Sequence, residues 1–253
     1  MEPRQVAAGQ GRQWLIDGFA LFKKNPLVWV VLCAILVAIS YALIKIPFLG
    51  LVLNLILPVF VGGLMLGCQS VQDGGELEIA HLFACFRKKP SGLIALGGVN
   101  LVGLILIAFV VELIGGEALK SVLASSQGNL DMAAATTYGN QILLALLIGL
   151  ALYVPLAMAL WLSPVLVALR DTNATVALKL SFIACLKNIL PFLVYGVILF
   201  ILQVIIALLL GIMNISLSSR LMIAFAVMLP VIIPTLYISF KNIFSDNSIQ
   251  TKI

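Results

Sequence analysis

The chain has 253 residues, of which 62% are apolar and only 10% charged, with a mean hydropathy of +1.19. This composition excludes a water-soluble domain and defines an integral membrane protein. A net charge of +5 does not indicate nucleic-acid binding, because the positions of the basic residues follow a membrane topology instead.

Residues 12 to 24 read as an amphipathic helix lying in the membrane interface. Trp14, Leu15, Phe19 and Phe22 recur at helical spacing, with Arg12, Gln13, Asp17 and Lys23 on other faces. The stretch closes on Phe22-Lys23-Lys24-Asn25-Pro26, and Pro26 suits a helix start. It is not a cleavable signal peptide, since Asp17, Lys23 and Lys24 interrupt any apolar core. Two uncharged runs follow, Asn25 to Ile44 and Ile46 to Gln72. Each reaches the roughly 20 residues that a ~30 Å hydrocarbon core requires. Gly63-Leu64-Met65-Leu66-Gly67, reinforced by Gly62, forms a small-residue face that would let another helix approach closely.

A second amphipathic segment opens with Glu76 and Glu78 and closes with Arg87, Lys88 and Lys89, charges that suit the two ends of a helix dipole. Ile79, Leu82, Phe83 and Phe86 share one face at α-helical spacing. Pro90 to Val111 and Met132 to Leu169 are the next uncharged runs. The latter is too short for two helices plus a turn once its polar entry, Thr136 to Gln141, is removed. Between them lies an external segment, 115 to 139, with Glu117, Lys120 and Asp131. There Ala118 to Ser125 predicts a short helix ended by Ser126-Gln127-Gly128-Asn129. An external partner would touch this segment.

The third amphipathic segment has Asn173 as a cap, with Val176, Leu180 and Ile183 on one face widened by Leu178 and Phe182. It closes on Leu186-Lys187-Asn188-Ile189-Leu190-Pro191, and the runs Asn188 to Ser219 and Leu221 to Phe240 complete six spans. The runs are apolar on every face, which excludes alternating barrel strands and leaves an all-α membrane protein. The expected organisation is one membrane domain, 1–253, of three repeats, 12–70, 76–169 and 174–241. Each joins an interfacial helix to two spans. Ala84-Cys85-Phe86-Arg87-Lys88 parallels Ala184-Cys185-Leu186-Lys187-Asn188. Pro58-Val59-Phe60, Pro164-Val165-Leu166 and Pro230-Val231-Ile232 repeat a further triplet. Proline kinks a membrane helix, so three such helices would splay at one level around a shared cavity, although proline is also ordinary in membrane helices.

With the amino terminus in the cytoplasm, twelve of the fifteen basic residues fall inside and only Lys45, Lys120 and Arg220 outside. Six spans return the carboxyl terminus to the same side. Lys23, Lys24, Arg87, Lys88, Lys89 and Lys187 are then candidates for contact with anionic lipid headgroups. Cys33 lies within a span and Cys68, Cys85 and Cys185 on the cytoplasmic half, so reduced thiols are expected.

Chemistry-bearing patterns are sparse. His81 and Cys85 are four residues apart and could join Cys68 or Cys185 around a metal, but no paired CxxC supports this, so neither metal nor cofactor is expected. Lys45 and Glu112, near the outer span ends, either pair or reach the headgroups. Asn100 and Gln203, nearer mid-membrane, suit hydrogen bonds between helices. Walker, HExxH and GxSxG motifs are lacking, as are paired intramembrane carboxylates, so no catalytic residues are expected.

The amino-terminal segment running into Phe-Lys-Lys-Asn-Pro and the central His-Leu-Phe-Ala-Cys-Phe-Arg resemble a family of uncharacterised proteobacterial six-span inner-membrane proteins across most of the chain. More loosely, the pattern resembles the membrane domain attached to some glycerophosphodiester phosphodiesterases. The resemblance implies a bacterial inner-membrane location and no assigned catalytic residue. The functional expectation is a non-enzymatic accessory or assembly subunit whose partners are membrane lipids and other membrane subunits. The alternative is a small transporter, channel or lipid-handling protein.

Overall fold

The computed structural model describes residues 2–88, 90–125, 132–213 and 215–245. They form α1 (Gln10–Lys24), α2 (Pro26–Lys45), α3 (Leu49–Gln72), a 3-10 turn (Ile79–Phe83), α4 (Ala84–Lys88), α5 (Pro90–Ser125), α6 (Met132–Trp161), α7 (Ser163–Arg170), α8 (Ala174–Lys187), α9 (Ile189–Leu209), a 3-10 turn (Leu210–Met213) and α10 (Leu217–Ile243). Six segments among the described residues are long and apolar enough to cross a membrane: Pro26–Lys45, Leu49–Gln72, Pro90–Gly116, Tyr138–Arg170, Ile189–Ile212 and Leu217–Ile243.

Local chemistry sets the ends. Pro26 opens α2, where its missing N–H costs nothing. α3 begins at Leu49 rather than Ile46 because Phe48 adopts a left-handed backbone, φ 65°. It stops where Gly74 takes φ +89° and Gly75 N–H turns back to the Ser70 carbonyl at 2.8 Å. The fourth span is broken, with α6 ending at Trp161 and α7 starting at Ser163 with Pro164 in its first turn. Pro164 therefore starts a helix instead of kinking one, unlike Pro58 in α3 and Pro230 in α10. Buried Ser181 on α8 accepts the Leu162 N–H at 2.9 Å and donates to the Met158 carbonyl at 2.7 Å, satisfying the backbone freed at the break. α5 runs without a break through the first part of the expected external segment to Ser125, and α6 resumes at Met132. The stop expected at Ser126 to Asn129, and Asp131, lie outside the described residues.

The short elements pack in a cyclic order. α1 lies against α9 and α10, the 3-10 turn and α4 lie against α3, and α8 lies against α6 and α7. Each is covered by spans that precede it in the ring, and α1 closes the circle onto the last two. The amino-terminal segment meets the end of α10: Arg4 N–H donates to the Ile243 carbonyl at 3.0 Å, and Arg4 Nε to the Asn242 carbonyl at 2.6 Å.

The buried faces of these elements differ from the expected ones. α1 buries Gly11, Trp14, Gly18 and Leu21, leaving Phe19 exposed. In the second segment only Leu82 of the four expected residues is buried, because 79–83 winds as a 3-10 turn and the α-helical spacing no longer aligns them. α8 buries Ala177, Ser181, Ala184 and Cys185, while Val176 is exposed. Asn173 occupies the cap position of α8 without a side-chain capping bond. Lipid is as apolar as leucine, so helices select small residues where backbones approach and leave large ones facing outward.

The main core occupies one end of the bundle. Trp14, Trp29, Leu32, Leu64, Met65, Leu82, Leu93, Leu166 and Ile243 are all buried there, at the span ends that carry the basic clusters. The Pro-Val steps reach it to different extents: Val59, Phe60, Pro164, Val165, Leu166 and Pro230 are buried, while Pro58, Val231 and Ile232 are half-buried. At the opposite end, large apolar side chains such as Leu106, Phe109, Phe200 and Phe225 are exposed. Ala118, Ala145, Ala207 and Ala224 are among the buried positions there, together with Leu53. α6 and α9 meet chiefly where Trp161 contacts Phe192 and Tyr195, with ring centroids 6.5 and 6.4 Å apart.

Candidate functional site

The basic end carries an open groove of about 420 Å³ between the end of α3 and the segment 78–88. Leu66, Ala80 and Ala84 supply apolar surface, while Gln69, Ser70, Asp73, Glu78, His81 and Lys88 supply polar groups. Gly63 and Gly67 make the groove's far wall possible. A side chain at Gly63 would collide with the His81 and Leu82 carbonyls, and one at Gly67 would lie 2.8 Å from Leu77 Cδ1. The small-residue face of α3 thus receives the chain's own 3-10 turn, where a second helix was expected.

That turn is held by a reciprocal cap. The Glu78 side chain accepts the His81 N–H, and Glu78 N–H points at His81 Nδ1 across 3.0 Å. Nδ1 also lies 3.2 Å from the Glu78 carbonyl, so the Glu78 backbone meets this ring nitrogen with both of its polar groups. Phe60 packs edge-on against Phe83 and Phe86, with centroids 5.9 and 5.0 Å away.

The other basic residues are distributed differently from one another. Lys23 Nζ lies over the Phe19 ring at 5.2 Å, and Lys24 Nζ reaches the Val71 carbonyl at 3.4 Å. Lys187 Nζ donates to the Pro3 carbonyl at 3.3 Å. Arg87 and Lys88 are exposed, and Lys89 lies outside the described residues.

Lys45 and Glu112 do not pair. α3 packs between their helices, Lys45 Nζ sits over the Tyr41 ring at 5.1 Å, and Glu112 instead binds Lys120 of its own helix at 2.6 Å. That pair is exposed, so it contributes little to stability. Asn100 Nδ2 donates to Asn54 Oδ1 at 3.2 Å, joining α5 to α3, and Gln203 Nε2 donates to the Leu221 carbonyl at 2.7 Å, joining α9 to α10.

All four cysteines are free and buried, and among the described residues no three His, Cys, Asp or Glu side chains converge. Burial pushes the Cys185 thiol up to about 12, against a smaller downward pull from its hydrogen bond with Ser181. Sequence reasoning missed Asn188, Tyr195 and Thr235. Asn188 is wholly buried, and Tyr195 Oη lies 2.7 Å from Thr235 Oγ1 between α9 and α10. The sequence signal was a polar residue among apolar ones, and it was strongest at Asn188, next to Lys187.

The chain is 32% identical over 207 residues to a protein of Burkholderia thailandensis described as a probable inner membrane protein, covering 79% of this chain and 76% of the relative. The chain belongs to that inner-membrane protein family. No family model matches it, and no solved structure matches it. Membership of this family accords with the six spans and locates the molecule in the inner membrane.

Proposed function

We propose that this inner-membrane protein is a non-enzymatic accessory, stabilising or assembly subunit of a larger membrane complex, with both termini in the cytoplasm. One observation carries the reading. The basic end of the bundle holds the main core, whereas the opposite halves of α5 and α9 expose Leu106, Phe109 and Leu113, and Ile205, Leu208 and Leu209. Membrane helices associate through close packing, so span halves that pack little within the chain remain available to helices of other subunits. The chemistry-bearing side chains have structural employment: His81 caps a turn, Glu112 pairs with Lys120, and the cysteines are buried. The distribution of basic residues, twelve against three, supports the orientation, and the partners are lipids and membrane subunits rather than nucleic acid.

Photo-crosslinking residues placed at Phe109 and Phe200 in native membranes test this. A defined protein adduct of one mass from each position, lacking at exposed Ala80 on the basic end, is expected. Lipid adducts and monomer alone at all three positions would remove the proposal. A second reading, lipid handling, draws support from the charged groove beside α3. The Pro-Val steps do not line that groove.

A further inference from the structure

The groove at the end of α3 carries opposite charges that do not meet. Asp73 lies just past the end of α3 and Lys88 at the end of α4; both line the groove, yet they form no ion pair with each other. Neither side chain forms a hydrogen bond or ion pair with any described residue, Asp73 being tied only through its backbone N–H to the Gln69 carbonyl. Glu78 differs, because its carboxylate is engaged by the His81 N–H. His81 Nδ1 is likewise engaged by the Glu78 backbone, which leaves Nε2 as the ring nitrogen available in the groove.

We propose that this groove binds a phosphate ester bearing a primary ammonium group, the chemistry of an ethanolamine phospholipid headgroup. Lys88 and His81 Nε2 supply positive charge and a donor for the phosphate. Asp73 accepts from the ammonium, with Glu78 adding negative potential. The apolar surface at Leu66 belongs to the membrane-spanning part of α3, which favours a lipid as the source. A headgroup with phosphate alone meets two uncompensated carboxylates. A quaternary ammonium offers no N–H to Asp73. Lys24 and Lys187 on the same face already donate to backbone carbonyls. The site is independent of whether other subunits dock on the opposite half of the bundle.

The test uses native mass spectrometry of the full chain released from nanodiscs containing equal parts phosphatidylethanolamine, phosphatidylglycerol and phosphatidylcholine. A parallel titration uses soluble O-phosphoethanolamine. Preferential retention of phosphatidylethanolamine is expected, falling about fivefold for each charge removed in Asp73→Asn and Lys88→Gln. Both positions are exposed, so the variants keep the fold, checked by an unchanged elution profile. Arg12→Gln, an exposed basic position on α1, should leave the preference intact. Saturable binding of O-phosphoethanolamine, lost in the same two variants, would support the site with a soluble ligand as its source. Equal retention of all three lipids together with no soluble binding overturns the proposal. So does a preference unaffected by both variants or equally reduced by Arg12→Gln.

Discussion

Asn188 Nδ2 donates to the Arg4 carbonyl across 2.9 Å, joining residues 184 positions apart. The same side chain accepts the Val6 N–H at 2.8 Å and donates to the Ala184 carbonyl at 2.9 Å, so one buried amide serves α8 and the amino-terminal segment together. Arg4 in turn holds the end of α10 through the Asn242 carbonyl, and Trp14 Nε1 donates to Asn242 Oδ1 at 3.2 Å. The first residues of the chain are therefore the clasp of the ring.

Replacing Asn188 with Ala removes the partners of the Arg4 carbonyl and the Val6 N–H together. Arg4 and Val6 are half-buried, so each backbone group left without a partner costs about 1 kcal/mol, the low end of the range for buried groups. The expected outcome is a lower melting temperature in detergent and faster proteolytic trimming of the amino terminus. Deleting residues 2–6 should give a similar loss, and combining the two changes should add little more.

Gly18 and Gly11 set how closely α1 approaches its neighbours. A Cβ on Gly18 would lie 2.8 Å from the backbone of Thr235, and one on Gly11 would strike the Pro191 carbonyl. Gly18→Ala should destabilise by about 1–3 kcal/mol through overpacking. Gly98→Ala and Gly196→Ala, where nothing lies within 4 Å, should be neutral. Thermal unfolding of the set in one detergent measures the contrast.

Tyr195 and Thr235 should behave asymmetrically. Thr235 Oγ1 lies 2.7 Å from the Ile232 carbonyl and donates to it, so Tyr195 is the donor between the two hydroxyls. Tyr195→Phe leaves Thr235 with its carbonyl partner, at a cost of about 0.6 kcal/mol. Thr235→Val leaves the buried Tyr195 hydroxyl with no acceptor and should cost more, about 1–3 kcal/mol. The reverse order of melting temperatures would contradict this assignment.

Cys185 makes stability fall at alkaline pH. Its folded pKa is raised by burial from 9.0 to about 12, so between those values the unfolded chain has lost the proton that the folded chain retains. Its contribution is fully present below pH 9 and declines as pH rises toward 12. Cys185→Ala should flatten the melting-temperature profile over that window, and thiol labelling of the folded protein near neutral pH should be slow.

The six spans were legible because bilayer thickness turns apolar length into a direct signal, and the bilayer leaves no alternative to helix for such runs. Even the span ends were marked by Pro26, Pro90 and the lysines beside them. The break at Leu162 was not legible, since its backbone groups are satisfied by Ser181, nineteen residues away and on another helix. Which of its two expected fates Glu112 meets was not legible for a related reason: the intervening position of α3 is invisible to charge spacing.

The sequence by itself determined that the chain spans the membrane six times, where its basic residues gather and where short segments precede pairs of spans. Only the tertiary structure decided which face of each short segment is buried and which spans cover it. Amphipathic patterning identifies surfaces by their hydrophobicity, and that guide fails where lipid competes for large apolar side chains. Gly11, Gly18, Gly63, Ala177, Ser181 and Ala184 mark the contacts because they are small. How small residues from distant segments meet is settled by packing in three dimensions, which linear periodicity does not contain.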